Sequence, residues 1–188
     1  MRSAGQPPER GEPPAWLSET LHERRIVLLT GRLDDALATR AAAALMSLEA
    51  AGARPIELHV DSPDGALEAA FLLVDTVGAL RSPVAARCRG LVGTPAIGVV
   101  AAAGHRSASP HARFRLTQPT VRMTGTPDEV AARARQHRDL LVRFQARLAR
   151  VTGRPVDEIA DDMRQGRYLD AGEALAYGLI DTIGGPPP

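Results

Sequence analysis

The sequence predicts an α/β domain made of repeated β-β-α and βαβ units, with a mostly parallel sheet and one long projecting helix. Three observations carry this expectation. Short β-rich runs alternate with Ala- and Leu-rich runs along the chain. Nearly every β-rich run stops at Gly, Pro or Asp. Such alternation implies right-handed crossovers between parallel strands. The third is an amphipathic stretch after Thr126 that is too long for so small a domain to cover. No internal repeat is visible.

RRIVLLTG (Arg24 to Gly31) is the first expected strand. Asp34 or Asp35 then caps a helix running to about Gly52, because a short carboxylate can accept from free first-turn amides. PIELHVDSPDG is the second strand, stopped by Asp61-Ser-Pro-Asp-Gly. Ala66 to about Leu80 reads as a helix. VAARCRGLVG is read as one third strand, turning at Thr94-Pro95 into a short helix. ARFRLTQP is the fourth strand, stopped by Pro119. Thr126, Pro127 and Glu129 form a helix-start signature with a capping box. Val130, Ala134, His137, Leu141, Phe144, Leu148 and Val151 then recur in steps of four and three, which places them on one stripe. At 1.5 Å per residue that helix is roughly 37 Å long, so it either packs along the domain or meets a partner subunit. His137 in the stripe is read as a packed or interfacial histidine. PVDEIADDMRQG and DAGEALAYGLID give a last helix pair, with Gly166 and Gly178 at C-cap positions.

The chain has 188 residues, 44% hydrophobic and 24% charged, with a formal net charge of +1. That balance gives no general attraction to nucleic acid or membrane. Every basic residue is Arg. The one cysteine, Cys88, sits in an apolar run and reads as a buried small hydrophobe. Residues 1–17 are expected to be a flexible Pro-rich arm, 18–183 a single domain, and 184–188 a disordered tail. The start of the chain lacks the apolar core of a signal peptide, and no apolar run approaches the roughly 18 residues of a membrane span. The expected location is cytoplasmic.

On these residues the sequence resembles the proteolytic subunit of the Clp protease, within the ClpP/crotonase fold. The resemblance covers about Ser18 to Ile183. ERRIVLLTGRLDD is similar to the family's first strand and turn, HVDSPDGAL to its Asn-Ser-Pro-Gly-Gly segment, and LTQP to its His-Gln-Pro. TGRPVDEIADDMRQGRYLDAGEALAYGLID follows the family's C-terminal segment without a gap. The resemblance implies a serine peptidase of stacked heptameric rings, fed by an ATP-driven unfoldase. It also implies a Ser-His-Asp triad. Counting from the strand side places the serine on Thr94; counting back from Gly104 places it on Pro95. The histidine position is Thr117 and the aspartate position Gly166. All three depart from the family pattern. Arg164 and Gln165 stand where the family has an acidic–Arg pair at its ring-to-ring contact.

A triad needs a hydroxyl, an imidazole in reach and an orienting carboxylate. Removing the nucleophile or the base of a well-studied protease costs about 10⁶ in turnover. Thr117 cannot act as a base near neutral pH. In the family one oxyanion donor is the N–H after the nucleophile, and Pro95 has none. The expectation is therefore that Thr94 is a helix N-cap and Pro95 the first helical residue. Asp64-Gly65 reads first as a turn dipeptide; by the resemblance Gly65 keeps the other oxyanion-type position, a weak binding candidate, and Asp64 beside it puts a like charge near any developing oxyanion.

Other candidates are fewer. His105 and His111 lie near Ser107 and Ser109 in AGHRSASPHAR, which is expected to be a loop. Asp161 and Asp162 are adjacent, so on a helix they point apart and are expected to solvate it. No Cys/His cluster has metal spacing and no Gly-rich phosphate loop is present, so no metal and no cofactor are expected. The favoured expectation is an inactive member of the family, a pseudo-peptidase in a ring. It would be a homo-oligomer, or a hetero-oligomer with an active Clp proteolytic subunit, possible partner of an ATP-dependent unfoldase, with no nucleic acid or membrane partner. The alternatives are an active hydrolase using Thr94 or a relocated histidine, a crotonase-type acyl-CoA enzyme, and a binding protein outside any ring.

Overall fold

The computed structural model describes residues 15–184. Helix α1 (Ala15–Glu23) leads into β1 (Ile26–Thr30), so residues 15–17 are helical and the rest of the expected arm lies outside the described residues. Helix α2 (Asp35–Ala50) follows, capped by Asp34, whose carboxylate accepts from the Leu37 N–H at 2.9 Å. It buries Ala38, Ala41, Ala42, Leu45 and Leu48, a repeat of three and four that forms one face. Then come β2 (Ile56–Asp61) and α3 (Leu67–Ala79). Ile56, Leu58 and Val60 face inward while Glu57, His59 and Asp61 alternate outward, the period of two that a strand requires.

The turn before β2 is held by Arg25. It is 5% exposed, sits at φ 58°, and donates to the carbonyls of Leu48, Gly52, Arg54 and Pro55. One planar guanidinium thus satisfies the end of α2 and the loop beyond it.

VAARCRGLVG is two strands, a correction to the single strand expected. β3 (Val84–Cys88) lies in the main sheet and β4 (Leu91–Gly93) in a second one. The chain crosses at Gly90, which has φ 53° and lies so close to the Asp61 carboxylate that a Cβ would collide with it. Helix α4 (Thr94–Val100) follows. HRSA, expected as loop, is β5 (His105–Ala108), which pairs with β3. After β6 (Arg113–Leu116) and α5 (Pro127–Thr152) come α6 (Val156–Gln165), β7 (Arg167–Leu169), α7 (Ala171–Tyr177) and β8 (Thr182–Ile183). The main sheet has the order β1-β2-β3-β5-β8 and is parallel throughout; the small sheet is β4-β6-β7, with β6 and β7 antiparallel. The α/β class, the mostly parallel sheet and the long helix are as the sequence predicts.

α5 begins with the expected capping box between Thr126 and Glu129 and ends at Gly153 in the left-handed conformation. Its buried side chains are Phe144, Gln145, Leu148 and Ala149, all in its second half. Val130, Ala134, His137 and Leu141 are only half-buried. Gly166 and Gly178 are left-handed C-caps, with φ 75° and 87°.

Candidate functional site

β4 delivers the chain to α4 at the edge of the small sheet, and that junction places Thr94. Gly93 is the N-cap, Thr94 the first helical residue and Pro95 the next, a one-residue correction to the expected cap. The reason is where the hydroxyl goes. Thr94 is fully buried, and its Oγ1 donates to the Arg115 carbonyl at 3.1 Å and accepts from the Thr117 N–H at 2.7 Å. It ties the start of α4 to the end of β6 instead of turning back on its own helix.

Thr117 follows β6 directly. Gly166, the C-cap of α6, lies on its other side: a Cβ built there would stand 3.7 Å from Thr117 Cγ2. Thr94, Thr117 and Gly166 therefore meet in space although 72 residues separate the first from the last. Gly93 abuts the Pro63 carbonyl so closely that a Cβ there would collide with it, which brings the loop before α3 against the same junction. Arg115 donates to that carbonyl at 2.7 Å.

Gly65 sits in this loop, bridged to Leu33. Its N–H donates to the Asp64 carboxylate at 2.8 Å, and Asp64 is ion-paired with Arg32. That amide is thus committed to a neighbouring carboxylate. A cleft of about 490 Å³ runs beside it, lined by Arg32, Gly65, Ala66, Thr120 and Arg122. His137 reaches the main chain nearby, its Nε2 lying 3.2 Å from the Pro119 carbonyl, and its buried Nδ1 has no partner among the described residues. Among the described residues no imidazole contacts the Thr94 hydroxyl.

The other histidines and carboxylates are elsewhere. His105 points to β8, with Nε2 3.4 Å from Thr182 Oγ1 and Nδ1 3.9 Å from the Asp181 carboxylate. Ser107 instead donates to the Ala86 carbonyl at 3.3 Å. His111 is exposed in the turn before β6. Asp161 and Asp162 do point apart, but only Asp161 is a surface carboxylate, paired with Arg164. Asp162 is buried, a correction to its expected solvating role. It accepts from the Tyr177 hydroxyl at 2.7 Å and from Arg167 at 3.1 Å. Burial, reinforced by that hydrogen bond, pushes the Tyr177 phenol well above its ordinary pKa. Arg154 stacks 4.1 Å over the same ring. The signal was in the sequence: Asp162 stands three residues after the buried Ile159, on the same helical face. Among the described residues no group of three or more His, Cys, Asp or Glu converges as a metal site would need. No helix among them is long and apolar enough to cross a membrane.

A family model described as Clp protease matches residues 9–186. The ATP-dependent Clp protease proteolytic subunit 3 of Rhodococcus jostii (strain RHA1) is 32% identical over 170 residues, a stretch covering 89% of this chain and 84% of that protein.

Proposed function

This chain belongs to the Clp protease family as a homologue of its proteolytic subunits, and we propose that it is a catalytically inactive one, a pseudo-peptidase. The observation that carries this reading is the state of Thr94. Its hydroxyl is buried and committed to two main-chain partners, it has no imidazole, and the residue after it is Pro95. A nucleophile needs an adjacent base and a free approach, and neither is in place. The family's histidine and aspartate positions fall on Thr117 and Gly166, which cannot take over either role. Asp64 adds a second obstacle, because its carboxylate competes for the Gly65 N–H that an oxyanion would use.

The purified protein is expected not to cleave short fluorogenic peptides or unfolded casein, and a fluorophosphonate probe is expected not to label it. Labelling at Thr94, or turnover that disappears in Thr94→Ala, would overturn the proposal. Hydrolysis of an acyl-CoA thioester would move the protein to crotonase-type chemistry.

The role that remains is structural or regulatory: a wall element of a ring-shaped cytoplasmic Clp assembly. Ring surfaces answer to packing and outlast the chemistry of a site. We place the chain beside an active proteolytic subunit, with an ATP-dependent unfoldase docking on the same ring. Co-expression with a tag on this chain alone tests it. Recovery of an active paralogue with peptidase activity supports the mixed ring; recovery of this chain by itself rejects it.

A further inference from the structure

We propose that the cavity at the carboxyl ends of β3 and β5 holds the carboxylate of an acidic side chain presented by a partner polypeptide. The cavity measures about 190 Å³ and is lined by Arg87, Arg89, Ser107, Ser109, Pro110 and Gly184. It shares no residue with the cleft beside Gly65, and the proposal holds whether or not the protein cleaves peptides.

Charge selects the ligand. Arg87 is neutralised, since its guanidinium donates to Glu57 at 2.8 Å. Burial pushes the Glu57 carboxyl up, but the hydrogen bond from His59 and the charge of Arg87 outweigh it and hold the group below its ordinary range. Glu57 is therefore ionised at neutral pH. Arg89 is different: its guanidinium is exposed and has no ion pair or hydrogen bond among the described residues. Ser109 lends a hydroxyl that is likewise uncommitted, whereas Ser107 is spent on the Ala86 carbonyl. Cys88 contributes no negative charge, because burial pushes its thiol up to about 12.

One unmatched positive charge and one free hydroxyl donor suit a single carboxylate. A phosphate group brings a charge of about −1.5 to −2, which the cavity does not balance. The volume is below the roughly 300 Å³ at which small-molecule pockets begin, so the occupant is a side chain in size. An exposed ion pair is too weak by itself to retain a free small carboxylate. The rest of the grip must come from the chain that carries it, and the exposed Ile183 next to Gly184 offers apolar contact for a neighbouring residue. An acidic residue flanked by an apolar one is the matching segment.

The test is fluorescence anisotropy on the full chain in its native assembly state. The probe is a capped peptide, acetyl-Leu-Glu-Leu-amide, carrying an uncharged dye. Saturable binding is expected, at least fivefold tighter than that of the same peptide with Gln for Glu. Arg89→Gln should weaken it at least fivefold and Ser109→Ala about twofold. Arg113→Gln, an equal loss of surface charge outside the cavity, should leave it unchanged. Equal binding of the Gln peptide, or full binding to Arg89→Gln, overturns the proposal, as does an absence of saturable binding. Displacement of the peptide by inorganic phosphate at lower concentration than by unlabelled peptide overturns it in favour of a small-anion site.

Discussion

The Thr94 hydroxyl is a structural bolt between a helix and a strand. Thr94→Val keeps the shape but leaves the Arg115 carbonyl and the Thr117 N–H without their partner. Unmaking such buried bonds costs about 1–3 kcal/mol, readable as a lower urea midpoint at constant slope. Thr94→Ser keeps both bonds and should stay closer to wild type; equal loss in the two variants would contradict the bolt. Glu49 offers a second residue-level test, in pH. Hydrogen bonding from Ser82, and then from Arg81, lowers its pKa from the ordinary 4.5 to about 2. Between those values the unfolded chain binds the extra proton, so this group's stabilisation is complete above 4.5 and is lost as pH falls through 2. Glu49→Gln should flatten the stability curve in that window, measured by denaturant melts at several pH values. An unchanged slope would show that other carboxylates govern it.

Among the elements, α5 divides into two halves with different duties. Phe144 belongs to the core: it is 1% exposed, meets Phe71 edge-on at 6.2 Å, and fills the space left by Gly98, where a Cβ would collide with its ring. Phe144→Ala should cost about 3–5 kcal/mol in the folded subunit itself. Leu141, one turn earlier, packs against the margin of the core but is only half-buried, so part of its side chain stays open to a neighbour. Leu141→Asp is expected to lower the assembly state by native mass spectrometry while the circular dichroism of the helix persists; loss of both would assign it to the core as well. The same contrast explains what the sequence disclosed. The caps at Asp34, Thr126, Gly166 and Gly178 were legible because each is decided within one helical turn. β5 was not, because the polar run His105-Arg-Ser-Ala becomes a strand only by lying between β3 and β8. The break at Gly90 depends on Asp61, far back in the chain. For the site, the motif order pointed to Thr94, Thr117 and Gly166 as expectations, and the fold brings these three residues together. The sequence put the Asp64 charge near the oxyanion-type position but not its hydrogen bond to the Gly65 amide, which depends on a turn fixed by Arg32 and Leu33.

At the scale of the whole molecule, a compact two-sheet body carries a helix whose first three turns add no side chain to the hydrophobic core. Amide hydrogen exchange turns this unevenness into a clock. In a dilute, separated subunit the amides from about 131 to 139 should exchange fast, because little tertiary packing opposes their opening. Those near Phe144 and Leu148 should exchange only when the core opens. If subunits close over the free half, the first group slows by orders of magnitude while the second barely changes. Rapid exchange of the first group at high concentration would mean that nothing covers it. If subunits associate there, the open start of α5 is a gauge carried by the chain itself, reading that association in deuterium uptake with no label attached.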